Sequence, residues 1–117
     1  MNIEEFREYC LGKAGATEST PFGGDTLVFK VADKIFALTS IGDFESGINL
    51  KCVPEHAVEL REKYACVLPG YHMNKKHWNT ILPNGSVPDA LLQQWIDDSY
   101  QLVISKLPKA TKLLFGF

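Results

Sequence analysis

Hydrophobic and polar positions follow two different periods along this chain, and the period predicts which element each segment forms. At the N-terminus, Asn2 followed by Glu5 has the arrangement of a capping box, and apolar residues at helical spacing come after it. This pattern predicts a first helix over residues 3–13. Residues 15–25 are rich in residues that favour turns, and they predict a loop.

A period of two predicts the strands. Apolar and polar residues alternate over residues 26–31, and a tight turn leads into a returning strand over residues 34–41. A third strand, residues 48–52, follows another short connection, so these three strands are expected to form an antiparallel meander. Two further short strands are predicted over residues 66–68 and 76–82.

Two more helices complete the predicted order of elements. The second helix begins at Pro54, a residue type that suits the first helical position. The last helix begins near Asp89 and ends at Pro108, and the apolar tail over residues 109–117 is expected to fold back on the body. The order αβββαββα predicts a single α+β domain over residues 1–117. Its helices should cover one face of an antiparallel sheet and leave the other face open.

Length and composition agree with one globular domain. The chain has 117 residues, of which 45% are hydrophobic and 22% are charged. Its apolar runs are too short to cross a membrane, and its N-terminus lacks the apolar region of a signal peptide. We therefore expect a cytoplasmic protein. The three cysteines lack Cys-x-x-Cys spacing and are expected to be reduced thiols.

The charge is distributed unevenly. Residues 1–62 hold eleven acids and six bases, whereas residues 63–117 hold three acids and six bases. No acid occurs between Glu62 and Asp89. The second half of the chain could therefore present a positive face on a protein whose net charge is −2. In the alternative interpretation, these lysines are scattered and solvated.

Motifs of catalysis and of cofactor binding are missing from the sequence. It has no Gly-x-Ser-x-Gly, no P-loop motif and no Gly-x-Gly-x-x-Gly. The histidines His56, His72 and His77 do not have the spacing of a zinc site. The neighbouring Asp97 and Asp98 fit a solvated helix surface better than an acid–base pair. We therefore expect a protein that is not an enzyme and that needs no metal or other cofactor.

The richest segment is residues 69–79, which combines aromatic, basic and amide side chains without an acid. Basic groups and imidazoles suit phosphates, amides suit base edges, and aromatic rings suit unpaired bases. The candidate nucleic-acid contacts in this segment are Tyr71, His72, Asn74, Lys75, Lys76, His77 and Asn79, with Trp78 as a further stacking candidate. Alternatively, Tyr71 and Trp78 are core aromatics of a hairpin, and the lysines protect an edge strand.

Three sequence segments resemble the MmcQ/YjbR family. They are Pro-Gly-Tyr-His-Met-Asn-Lys-Lys-His-Trp-Asn-Thr at 69–80, Pro-Phe-Gly with Asp-Thr-Leu-Val-Phe-Lys-Val at 21–31, and Asp-Ser-Tyr-Gln-Leu-Val at 98–103. The resemblance implies a small bacterial cytosolic protein with an α+β fold like that of secretion chaperones. It also implies DNA binding of the double-wing type, in which the sheet lies on the duplex. On that analogy the contacts are Lys30, Lys51, Lys75, Lys76 and His77.

Two other functions stay open from the sequence. A protein-interaction module, similar to a chaperone adaptor, would need an exposed apolar patch. Its candidates are Phe22, Phe44, Leu114 and Phe115. A small-ligand site could instead form around Tyr71, His72 and Asn74. The sequence does not decide the oligomeric state.

Overall fold

Six antiparallel strands form one sheet in the computed structural model of the chain, which describes residues 1–70 and 73–117. The strands are β1 (Ala16–Ser19), β2 (Thr26–Val31), β3 (Lys34–Ser40), β4 (Ile48–Lys51), β5 (Val67–Pro69) and β6 (Trp78–Ile81). The helices of the described part are α1 (Ile3–Leu11), α2 (Pro54–Lys63), α3 (Asp89–Ser105) and α4 (Lys109–Phe115), with a short 3₁₀ helix at Phe44–Ser46. The predicted α+β class is confirmed.

The order of strands across the sheet is β1-β2-β3-β4-β6-β5. The meander of β2, β3 and β4 therefore occupies the centre, and β1 and β5 are the edges. The pairing of β2 with β3 shifts between Phe29 and Lys30, so Phe36 of β3 has no direct partner on β2. A side chain of helix α3 supplies hydrogen bonds to the backbone at this irregularity. The Ser99 hydroxyl donates to the Phe36 carbonyl at 2.6 Å and accepts from the Lys51 amide at 2.8 Å.

Two predicted segments differ from the structure. The predicted loop over residues 15–25 contains β1, which pairs with β2 from Ala16 opposite Val31 to Ser19 opposite Val28. The Ala-Thr-Glu-Ser sequence of β1 has no apolar alternation, so its pairing comes from its neighbour and not from its own pattern. The tail is helix α4. Phe117 contacts the Tyr100 ring, whereas Leu113 and Leu114 are exposed, so only the end of the tail folds back on the body as predicted.

The main core lies between the sheet and the helices. Phe6 of α1 meets Phe29 of β2 edge to face, with 5.4 Å between ring centroids, and Tyr100 of α3 meets Phe36 in the same way at 5.3 Å. The inner residues of the strands, such as Ile48, are fully buried beneath these helices. This arrangement confirms the prediction that helices cover one face of the sheet.

The opposite face of the sheet, which we call the outer face, is not open as the sequence predicted. Val28, Leu38 and Trp78 are buried there in a second hydrophobic cluster, against which Ile35 and Met73 pack. The indole of Trp78 is large enough to reach across β4 toward β3, and this closes the centre of the face. Trp78 is therefore a core residue, as in the alternative interpretation.

Candidate nucleic-acid interface

Basic residues meet at one end of the sheet because neighbouring strands are antiparallel. β2 and β4 end where β3 and β6 begin. We call this the basic end, and define it by Lys30, Lys34, Lys51, Lys75 and Lys76. With about 4.8 Å between strands, the four strands from β2 to β6 spread these side chains over roughly 14 Å.

The other end of the central strands is acidic. Asp25 precedes β2, and Asp43 and Glu45 lie between β3 and β4, all three of them exposed. Acids are also present near the basic end, since Asp33 lies in the β2–β3 turn and Asp98 lies on α3. The two ends of the sheet therefore differ in charge along the strand direction, a difference that the net charge of the chain, −2, does not reveal.

The surroundings of Lys51 show that cationic groups gather there. Burial lowers the pKa of the Lys51 ammonium, and the ammonium groups of Lys106 and Lys34 lower it further. Lys106 directly follows α3, so a helix also contributes a cation to this region. An anion bound at this end would relieve the repulsion among these like charges.

The lysines of the basic end are free of ion pairs within the part of the chain that the structure describes. The ion pairs of that part join the N-terminal amine to Asp89, Arg7 to Glu18, and Lys13 to Asp97. The ion-paired cations of the described part therefore lie away from the basic end.

A turn before β6 exposes Lys75 and Lys76. The side-chain oxygen of Asn74 accepts from the Lys76 amide at 2.9 Å, and its carbonyl accepts from the amides of His77 and Trp78. The side-chain oxygen of Asn74 therefore forms its hydrogen bond within the turn and does not point toward a partner. The two lysine side chains between these bonds are exposed, as the sequence predicted.

Asn79 was predicted to reach a base edge, and this prediction is wrong. Its side chain is 1% exposed: the oxygen accepts from Arg61 Nε at 2.7 Å, and the nitrogen donates to the Ala57 carbonyl at 3.3 Å. Strand alternation turns Asn79 toward α2, away from Trp78 and the outer face. A buried amide needs such partners, and its place in an apolar strand was the sign that sequence reasoning could have used.

Sequence reasoning also missed Arg61. The pattern of α2 places it among solvated residues, yet its guanidinium donates to Asn79 and to the Lys75 carbonyl. A third contact reaches the Trp78 carbonyl at 3.5 Å. One side chain of α2 thus fixes the turn that presents the lysines.

The remaining candidates are placed as follows. Lys30 and Lys51 are half-buried on β2 and β4, and His77 is half-buried next to Cys52, whose amide donates to its carbonyl at 2.7 Å. Tyr71 and His72 lie outside the described residues. The small-ligand site built on them with Asn74 therefore stays a prediction.

Metal ligands do not cluster in residues 1–70 and 73–117: no group of three or more His, Cys, Asp or Glu side chains there is arranged to hold an ion. Cys10 and Cys66 are buried. Burial raises the pKa of the Cys10 thiol, and also that of the half-buried Cys52. A raised pKa keeps a thiol protonated, which disfavours both metal binding and nucleophilic attack. Among the described helices, none is both long and apolar enough to cross a bilayer.

Comparison with known proteins gives a consistent family and fold. The family model described as YjbR matches residues 11–102. Protein YjbR of Escherichia coli is 35% identical over 114 residues, which are 97% of each chain, and YyaQ of Bacillus subtilis is 34% identical over 65% of this chain and 63% of its own. The crystal structure of Deinococcus radiodurans DR2400 has a TM-score of 0.93 at 37% identity, with 99% of this chain and 88% of that chain covered. A Pseudomonas syringae protein has a TM-score of 0.74 at 34% identity, with 87% and 98% covered.

Proposed function

The chain belongs to the YjbR family, and we propose that it is a DNA-binding member that contacts the phosphates of a duplex through the basic end of its sheet. The observation that carries this proposal is the gathering of unpaired lysines from several strands at one end, opposite an acidic end. We propose no chemical reaction. The role is that of a binding or regulatory module.

The geometry favours contacts with the DNA backbone over reading of the base sequence. The basic end spans roughly 14 Å, similar to the major-groove width of about 12 Å, so its lysines can reach phosphates on both sides of one groove. Lysine ammonium groups act as point charges, and they position a protein on DNA without specifying bases. The burial of Asn79 removes one candidate for base recognition.

Salt dependence gives the first test. If three to five lysines neutralise phosphates, the logarithm of the binding constant should fall with the logarithm of salt concentration at a slope of about −3 to −4. Fluorescence anisotropy with a labelled duplex of about 20 base pairs, at several salt concentrations, measures this slope. Absence of saturable binding at micromolar protein and the lowest salt would overturn the proposal.

Matched lysine variants give the second test. Lys76→Ala removes one exposed charge at the basic end, whereas Lys63→Ala removes one exposed charge at the end of α2, toward the other end of the sheet. We expect Lys76→Ala to weaken binding and to reduce the salt slope by about 1, and Lys63→Ala to change neither appreciably. The double variant Lys75→Ala with Lys76→Ala should lose more. Equal effects of Lys76→Ala and Lys63→Ala would argue for unspecific attraction and against this site.

A second candidate function, a protein-interaction module, is favoured by a different observation. Leu113 and Leu114 on α4 are 71% and 84% exposed, and the neighbouring Phe115 and the more distant Phe22 are exposed as well. Phe44, named with them from the sequence, packs on Phe6 and does not belong to this surface. A pull-down from nuclease-treated lysate tests this function: a specific partner should be retained by the wild-type chain and lost with Leu114→Ser.

A further inference from the structure

Helix α4 carries apolar side chains on a side that faces away from the body. Spacings of three and four residues place Lys109, Ala110, Leu113 and Leu114 on this side of the helix, and all four are exposed. Leu113 is 71% exposed and Leu114 is 84% exposed. Exposed apolar surface that is bordered by polar groups is typical of a contact with a protein or a membrane.

The other side of α4 packs toward the basic end of the sheet. Thr111 and Phe115 line a groove together with Ala32 and Asp33 of the β2–β3 turn, and this turn leads directly into Lys34 of the basic end. Since these residues face the sheet, the two exposed leucines on the other side of the helix point away from it. They therefore lie beside the basic end and face solvent.

Lysines surround the exposed leucines. Lys109 shares their side of α4, Lys112 directly precedes them, and Lys106 lies at the end of α3, one turn before α4 begins. None of the three forms an ion pair within the part of the chain that the structure describes. The sequence has no acidic residue over residues 99–117, and Asp33 borders α4 from the sheet side. The exposed side of α4 is thus both apolar and positive.

This combination favours lipid headgroups over other partners. A second copy of the chain, docked through the same surface by a two-fold axis, would bring like charges together. Duplex DNA would attract the lysines through its phosphates but would leave the two leucines in water. A protein partner must supply a hollow that fits the protruding leucines and acids that face the lysines. The interface of an anionic bilayer offers both to any protruding apolar side chain.

We propose that the exposed side of α4 binds the surface of an anionic lipid bilayer. Leu113 and Leu114 enter the boundary between headgroups and acyl chains, and Lys106, Lys109 and Lys112 lie at the level of the headgroup phosphates. The helix lies on the bilayer and does not cross it. The proposal does not rest on DNA binding, because the apolar half of this surface has no role there.

Co-sedimentation of the full chain with vesicles tests the proposal. The vesicles contain phosphatidylcholine alone or an equal mixture of phosphatidylcholine and phosphatidylglycerol. At low salt, we expect binding to the mixture to be at least about tenfold tighter, because each lysine near an anionic surface strengthens binding about fivefold. Equal binding to both kinds of vesicle, or no binding to the mixture at millimolar lipid, would overturn the proposal.

Matched variants test the role of the leucines. Leu114→Ser removes an apolar group without changing the charge, and should weaken binding to the mixed vesicles about three- to tenfold. Phe22→Ser is the control, because Phe22 is 68% exposed in the β1–β2 loop at the other end of the sheet, and its loss should leave binding unchanged. Leu113→Ser offers a second variant if Leu114→Ser loses its helical circular dichroism. Unchanged binding in both leucine variants, or an equal loss in Phe22→Ser, would contradict the proposed contact.

The same variants separate lipid binding from DNA binding. Leu114→Ser keeps every lysine, so its affinity for the labelled duplex should equal that of the wild-type chain. Lys109→Ala should weaken binding to the mixed vesicles about fivefold, whereas Lys63→Ala on α2 should not. A chain that binds the vesicles and not the duplex would overturn only the DNA proposal. A chain that binds the duplex and not the vesicles would overturn only the lipid proposal.

Discussion

Replacement of Arg61 with alanine should destabilise the protein far more than its position on the surface of α2 suggests. The guanidinium donates to the Asn79 side chain at 2.7 Å and to the Lys75 carbonyl, and thereby ties α2 to the turn before β6. Without it, the buried oxygen of Asn79 has no donor from α2. The turn also loses its link to the helix.

The magnitude follows from these contacts. A hydrogen bond to a charged group contributes about 1.5–3 kcal/mol, and an unsatisfied buried acceptor costs about 1–3 kcal/mol. Arg61 is half-buried, so solvent screening reduces the first contribution. We therefore expect Arg61→Ala to lower the free energy of unfolding by about 2–3 kcal/mol. For a chain of this size, Tm should fall by about 8–12 °C.

Urea unfolding followed by circular dichroism measures this change. Arg7→Ala is the control, because Arg7 forms an exposed ion pair with Glu18, and such pairs contribute about 0–1 kcal/mol. Arg61→Lys should recover only part of the loss, since one ammonium cannot replace the two-sided guanidinium. A loss for Arg61→Ala no greater than that for Arg7→Ala would refute the reasoning.

Three further predictions concern stability. Gly70→Ala should destabilise the fold by about 1–3 kcal/mol in urea unfolding, because the added Cβ would lie 2.8 Å from the Trp78 Cβ and 2.9 Å from its carbonyl oxygen. Ser99→Ala should cost about 1–3 kcal/mol in the same assay, because it leaves a buried carbonyl and an amide without their shared hydroxyl. The hydrogen bond from Arg7 lowers the pKa of Glu18 below its ordinary 4.5, so this pair stabilises the fold above that pH and loses its effect as the pH falls through the folded-state pKa. Unfolding measured from pH 7 to pH 3 should thus depend less on pH in Glu18→Gln, and an identical profile would contradict this assignment.

Local patterns predicted the central elements well. The alternation over residues 26–31 gave the bounds of β2, and the capping box of Asn2 and Glu5 is present with both of its hydrogen bonds. β1 was missed because its four residues have no apolar period and acquire their conformation from pairing with β2. The strength of a local pattern therefore decided which elements the sequence could predict.

The candidate site was harder to predict than the central elements, because the positions of its residues depend on tertiary structure. Exposure of Lys75 and Lys76 could be predicted from their charge alone. The hydrogen-bond partners of Asn79 could not be predicted, because they include a side chain of α2 that is eighteen residues earlier in the chain. The meeting of lysines at one end likewise requires the strand order, in which β6 lies beside β4 and β5 is outermost.

Within the part of the chain that the structure describes, β1 and β5 are the two edges of the sheet, and both are poorly suited to recruiting another strand. β5 has three residues and terminates in Pro69, whose nitrogen carries no hydrogen to donate. β1 has four residues and includes Glu18, whose ion pair with Arg7 anchors that strand to α1. Short edge strands of this kind disfavour strand pairing between two molecules. Self-association of this protein should therefore proceed through side-chain surfaces and not through a continuous intermolecular ladder.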